Sequence, residues 1–92
     1  MKVRYTSPAA AELASILDDL AEKSPRGAHR VLARILALER LLSAFPECGD
    51  RTRLPWLRRL SASPMPYVLF YEVADTEIIV HRVRHSARKP AE

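Results

Sequence analysis

SPAAAELASILDDLAEKSPRGAHRVLARILALERLL, residues 7–42, reads as two helices placed back to back. Each half opens on the same signal, Ser7-Pro8 and Ser24-Pro25. A serine at the N-cap accepts a bond from an otherwise unpaired N–H of the first turn, and a proline at the first helical position has no N–H to leave unpaired. Leu13, Ile16, Leu17 and Leu20 recur at helical spacing, with Glu12, Asp18, Asp19 and Glu22 off that stripe. Ala28, Val31, Leu32, Ile35, Leu38 and Leu42 form a second stripe, while Arg26, Arg30 and Arg34 step by four along another face. Almost no chain separates the stripes, so the helices are predicted to lie antiparallel as a hairpin. Pro46 and Gly49 end the second helix.

Working outward, residues 2–6 alternate polar and apolar as a short strand does. Residues 46–56, with Pro46, Gly49 and Pro55, read as a loop. Beyond it the period changes from helical to twofold, and residues 57–63, 67–73 and 77–84 read as three strands. Pro64 and Pro66 mark the first connection, and Ala74-Asp75-Thr76 is a tight turn. Links this short predict an antiparallel meander. The fold class is therefore α+β in the order β-α-α-β-β-β: an N-terminal strand, then a helix hairpin packed on one face of a mostly antiparallel sheet. Tyr67, Leu69, Tyr71 and Val73 are expected on the covered face. Val68, Phe70 and Glu72 are expected on the open one, joined by Arg59, Ser61, Arg82 and Arg84.

Ninety-two residues are expected to form one domain, residues 1–92, with a basic C-terminal tail at 85–92. Cys48 is the sole cysteine, so no internal disulfide can form and no cysteine cluster offers metal ligands. No apolar run approaches the roughly 20 residues that span a bilayer, and MKVRYTSPAA lacks the apolar core of a signal peptide. A reducing cytoplasm, with no membrane association, fits these features. Charge is uneven. Residues 1–50 hold seven Lys and Arg against seven acids, and residues 51–92 hold eight against four, so the net +4 sits in the second part. Such a patch attracts phosphates or an acidic protein partner; the plainer reading is a solvated surface.

Individual residues carry weaker signals. His81 and His85 are four apart, which on a strand spans roughly 13 Å, too far for one ion. No metal site is expected there, and no cofactor. His81 shares the alternation of Ile79 and Val83 and is expected to be a partly buried core residue. His85 ends its strand, with a structural or interface role favoured over proton transfer. Trp56 lies among arginines in RTRLPWLRR. It can stack on a base or serve as an interface hot spot, but a core lid over the helix hairpin is the favoured reading. Arg59 is the best functional candidate on the sheet, with Arg58 beside it. Arg82 and Arg84 either bind phosphate or blunt an exposed strand with charge.

Four segments together resemble the RelE/ParE superfamily of bacterial type II toxins: VRYTSPAAAELASI, SPRGAHRVLARI, RRLSASPMPYVLFYEV and EIIVHRVRHSARKP. They span nearly the whole chain in the family's order. The resemblance implies a toxin held inactive by a cognate, ParD-like antitoxin. RelE-like members cut messenger RNA on the ribosome with basic residues on the open sheet face, whereas ParE-like members poison DNA gyrase. Arg59 matches one nuclease position. Ser61 stands where the nucleases often carry Lys, Val68 where they often carry a catalytic Arg, and no tyrosine follows Tyr71 to match the late RelE tyrosine. PYVLFYEV and RHSARKP look like the ParE branch. The expectation is a ParE-like gyrase inhibitor, a protein-binding poison more than an enzyme, with Arg59, Arg82, Arg84, His85 and Arg88 as target-binding candidates and Arg58 and Trp56 as interface candidates. Two alternatives stay open: a ribosome-dependent messenger RNA endonuclease built on Arg59, Arg82, His85 and Arg88, and a non-toxic homologue that only binds its antitoxin.

Overall fold

A computed structural model describes residues 1–86. Its elements are β1 (Lys2–Tyr5), α1 (Ser7–Lys23), α2 (Pro25–Ala44), β2 (Asp50–Arg51), β3 (Arg58–Ser61), β4 (Tyr67–Val73) and β5 (Glu77–His85). The predicted α+β order holds, with one addition: the short strand β2 forms inside the stretch that reads as loop. It pairs with β3 through Asp50↔Arg59 and Arg51↔Arg58. Two residues are too few for periodicity to reveal.

Both helices begin at the Ser-Pro signals. Ser24 caps α2 by accepting the Gly27 N–H at 3.0 Å. In α1 the cap is Thr6, one residue earlier than expected; its Oγ1 accepts the Ala9 N–H at 3.2 Å. The shift follows from the neighbouring strand. The Thr6 N–H still donates to the Val80 carbonyl at 3.0 Å, so Thr6 is both the last sheet-bonded residue and the first capping one.

The sheet runs β1-β5-β4-β3-β2. β3, β4 and β5 form the predicted antiparallel meander, and β1 joins β5 in parallel, from Lys2↔Glu77 to Tyr5↔Val80. Parallel neighbours require a crossover, and the helix hairpin begins it. The hairpin covers one face, and at the centre of the core Ile35, Leu38 and Leu42 from α2 meet Leu69, Tyr71, Ile78 and Val80, each at most 1% exposed. Tyr5 ties β1 to α2 by donating its hydroxyl to Glu39 at 2.6 Å.

Tyr71 organises the region after α2. Its buried hydroxyl donates to the Pro46 carbonyl at 2.8 Å and accepts the Gly49 N–H at 2.9 Å. A side chain at position 49 would stand 2.7 Å from that hydroxyl and 2.9 Å from the Arg59 carbonyl, so glycine is required by close approach. No helix among the described residues is long and apolar enough to cross a membrane.

Three expectations about faces need correction. The pairing of β4 with β5 slips at one point: Phe70 faces Arg82, but Tyr71 faces Val80, leaving His81 as the extra residue of a bulge. Alternation changes phase there, so Ile78, Val80 and Val83 share the core while His81 turns to the open face. It is not a core histidine. Trp56 is not a lid over the hairpin either; it is half-exposed and lies against His81. Val68, expected to be open, is 3% exposed, flanked in register by Ser61 and by Arg84, whose side chain is itself largely covered.

Candidate functional interface

The basic candidates fall into three environments. Arg58 pairs with Tyr71 and donates to the Gly49 carbonyl at 2.9 Å and the Glu47 carbonyl at 3.3 Å, with the Glu47 carboxylate at 3.8 Å. It clamps the loop that Tyr71 anchors, which is a structural task. Its neighbour Arg59 alternates to the open face opposite Phe70 and forms no ion pair with the described residues. Period-two geometry thus splits two adjacent arginines into a buttress and an available cation.

Arg82 and Arg84 lie opposite Phe70 and Val68, as the alternation requires. Both are nonetheless drawn to Glu12 on α1. Arg82 holds the Glu12 carboxylate with Nε at 3.0 Å and a second guanidinium nitrogen at 2.8 Å; Arg84 Nε lies 3.9 Å away. The same carboxylate accepts the Val83 N–H at 2.9 Å. β1 pairs with β5 only as far as Val80, so α1 meets the edge of β5 beyond that point and Glu12 takes the place of a missing strand. Burial alone pushes the Glu12 carboxyl up, but bonds from Arg82 and Val83 more than reverse this and hold it below the ordinary carboxylate range.

The two histidines point apart. His85 is exposed at the end of β5, and its ring meets Tyr67 edge-on at 5.3 Å. His81 lies on the other side of the sheet, with Nε2 2.8 Å from the Glu72 carboxylate and its ring meeting Trp56 edge-on at 5.3 Å. No group of three or more His, Cys, Asp or Glu side chains among the described residues is placed to hold a metal ion. Arg88 falls outside the described residues.

Sequence reading therefore missed Glu12, Glu72 and the outward placement of Trp56. A signal for the second was present. Ile78-Ile79-Val80 is a continuous apolar run, and the alternation of HRVRH after it starts in a new phase. Such a break is what a bulge leaves in a sequence. Nothing local marks Glu12 as the partner of a strand 70 residues away.

Comparison with known proteins agrees with this architecture. The ParE toxin of type II toxin-antitoxin system, parDE, is the family whose pattern matches residues 3–90. Toxin RelE2 of Caulobacter vibrioides is 38% identical over 87 residues, covering 95% of this chain and 97% of that protein. Among solved structures, the chromosomal ParDE TA system from P. aeruginosa superposes with a TM-score of 0.78 at 25% identity, over 92% of this chain and 95% of that one. The toxin-antitoxin complex RelBE2 from Mycobacterium tuberculosis gives 0.63 at 27% identity, over 95% and 92%. YafQ from E. coli, at 16% identity and a TM-score of 0.61, shares the fold.

Proposed function

Because the chain belongs to the ParE toxin family of type II toxin-antitoxin systems, we propose that it acts as a ParE-like inhibitor of DNA gyrase, binding its target instead of cutting nucleic acid. The observation that carries this reading is the state of the open face. A ribonuclease of this shape needs cations free to meet a phosphate whose charge rises in the transition state. Here Val68, at the position of the nuclease arginine, is buried and apolar, and Arg82 and Arg84 are engaged by Glu12. Of the described arginines in the nuclease set, Arg59 forms no ion pair with the described residues, and Arg82 is held by Glu12 in a half-exposed pair. Purified toxin is expected to inhibit supercoiling by gyrase and to accumulate cleaved DNA. Supercoiling untouched at high toxin excess refutes the proposal.

A cognate antitoxin is the expected partner that neutralises the toxin. A groove of about 910 Å³ between α1 and the end of β5 suits a helical segment with an apolar face and charges of both signs. Ile16, Leu20, Tyr67 and Val83 form its apolar lining, and Lys23, Arg84 and His85 line it together with the carboxylates Glu12 and Asp19. One observation favours a second reading, a ribosome-dependent messenger RNA endonuclease: the 38% identical relative is a toxin named RelE2. Cleavage of messenger RNA in a translating extract, lost on changing Arg59, Arg82, His85 or Arg88, would establish that reading. Growth arrest on induction, reversed by the antitoxin, separates both from a non-toxic homologue.

A further inference from the structure

We infer that the target is engaged through a protein-binding patch on the open sheet face, centred on Trp56 and flanked by Leu54, Arg59 and the His81–Glu72 pair. The inference rests on the gyrase reading above and specifies which surface does the work.

Three observations lead to it. Trp56 is 50% exposed and Leu54 is 47% exposed, in a chain that has only one tryptophan. Tryptophan is normally well covered, and an indole left half in water by a folded domain is a candidate for burial by something else. The indole is also held in place. Thr52 Oγ1 accepts the Leu54 N–H at 3.1 Å and lies 3.0 Å from the Leu57 carbonyl, pinning the loop that carries Trp56. His81, fixed by Glu72, supports one side of the ring. A rigid aromatic anchor loses little freedom on binding, which is how a small patch reaches useful affinity.

Charge decides what kind of partner fits. Arg51 and Arg59 form no ion pair with the described residues, but Asp50 sits opposite Arg59 on β2, and Glu72 is bonded to the His81 ring that meets the indole. Carboxylates interleaved with arginines weaken attraction to a phosphate backbone, whereas a protein surface can present both signs in register. The partner surface is therefore a protein with an apolar recess for the indole and a carboxylate within reach of Arg59. The groove suited to the antitoxin lies at the α1–β5 edge, on the hairpin side, so this patch is left for the target.

The test compares full-length wild type, Trp56→Ala, Arg59→Ala and, as a control on a distant helix face, Arg40→Ala. Trp56 is outside the core, so all forms are expected to fold, with melting curves and antitoxin titrations close to wild type. The concentration needed for half-inhibition of gyrase should rise about 30-fold for Trp56→Ala, the equivalent of a typical hot-spot truncation, and stay within about twofold for Arg40→Ala, as for a residue outside the interface. Equal inhibition by wild type and Trp56→Ala overturns the patch and leaves the gyrase reading standing. If wild type does not inhibit gyrase, that reading falls, and growth arrest on induction decides the patch. Arrest lost in Trp56→Ala keeps it; arrest by both forms, or by neither, overturns it. Loss of antitoxin binding in Trp56→Ala assigns the patch to the antitoxin and overturns the inference. Quenching of Trp56 fluorescence by oligothymidylate at physiological salt assigns it to nucleic acid, with the same consequence.

Discussion

Replacing Glu12 tests whether α1 holds the last turn of sheet in place. Its carboxylate does two jobs that the structure separates: it accepts the Val83 N–H at 2.9 Å, and it pairs with Arg82 at 2.8 Å. The Arg82 side chain is 46% exposed, so water can replace its partner and that pair contributes at most about 1 kcal/mol. The Val83 bond is different, because Val83 is buried and a hydrogen bond to a charged acceptor contributes about 1.5–3 kcal/mol. Glu12→Ala is therefore expected to cost about 2–3 kcal/mol, which for a domain of this size lowers Tm by roughly 10–20 °C. Glu12→Gln keeps an oxygen for Val83 and should cost about half as much, while Arg82→Ala should cost no more than about 1 kcal/mol. High salt should weaken the Arg82 contribution and leave the Val83 one. Thermal unfolding followed by circular dichroism measures all three. The reasoning fails if Arg82→Ala costs as much as Glu12→Ala, or if Glu12→Ala melts with wild type. The pH dependence has a definite sign. The Glu12 carboxyl is held below its ordinary value of 4.5, so its stabilisation is present at neutral pH and is lost as pH falls below 4.5 through the folded-state value. Glu12→Gln should remove that part of the acid dependence.

Other outcomes follow from contacts elsewhere. Tyr71→Phe leaves the Gly49 N–H and the Pro46 carbonyl without their partner and should cost about 1–3 kcal/mol in denaturant titration. Gly49→Ala should destabilise by a similar amount, about 1–3 kcal/mol, because a β-carbon there meets the Tyr71 ring and the Arg59 backbone. Thr6→Ala and Ser24→Ala each remove an N-cap acceptor and should cost about 1 kcal/mol, whereas Ser7→Ala should be close to neutral. Burial and the Glu39 bond raise the Tyr5 phenol well above its usual value of 10.0, and burial raises Tyr71 as well. Folded protein therefore keeps these protons where unfolded chain loses them, so stability should decline as pH rises above 10, with phenolate absorbance appearing mainly on unfolding.

Much of the fold was legible because its signals are local. Two Ser-Pro starts, two apolar stripes and a change to twofold alternation are each written within a few residues, and they predict the hairpin and the meander. The candidate site was less legible. Arg59 on the open face followed from alternation alone, since β3 pairs regularly with β4. Trp56 did not, because loop residues have no period, and average burial pointed to the core. Val68 illustrates the same difficulty in a strand: alternation fixes the side a residue faces, but neighbours decide whether that side is wet.

Local chemistry by itself determined where helices start, which side chains face the hairpin on β4, and that positive charge gathers in the second part of the chain. Only the tertiary structure decided where that charge is available. One bulge at His81 changes the phase of β5 and brings His81 to Glu72 and Trp56. The early end of β1 exposes the edge of β5, and Glu12, distant in sequence, fills it and takes up Arg82 and Arg84. Both depend on register and chain crossing between remote segments, which carry no local periodic signature.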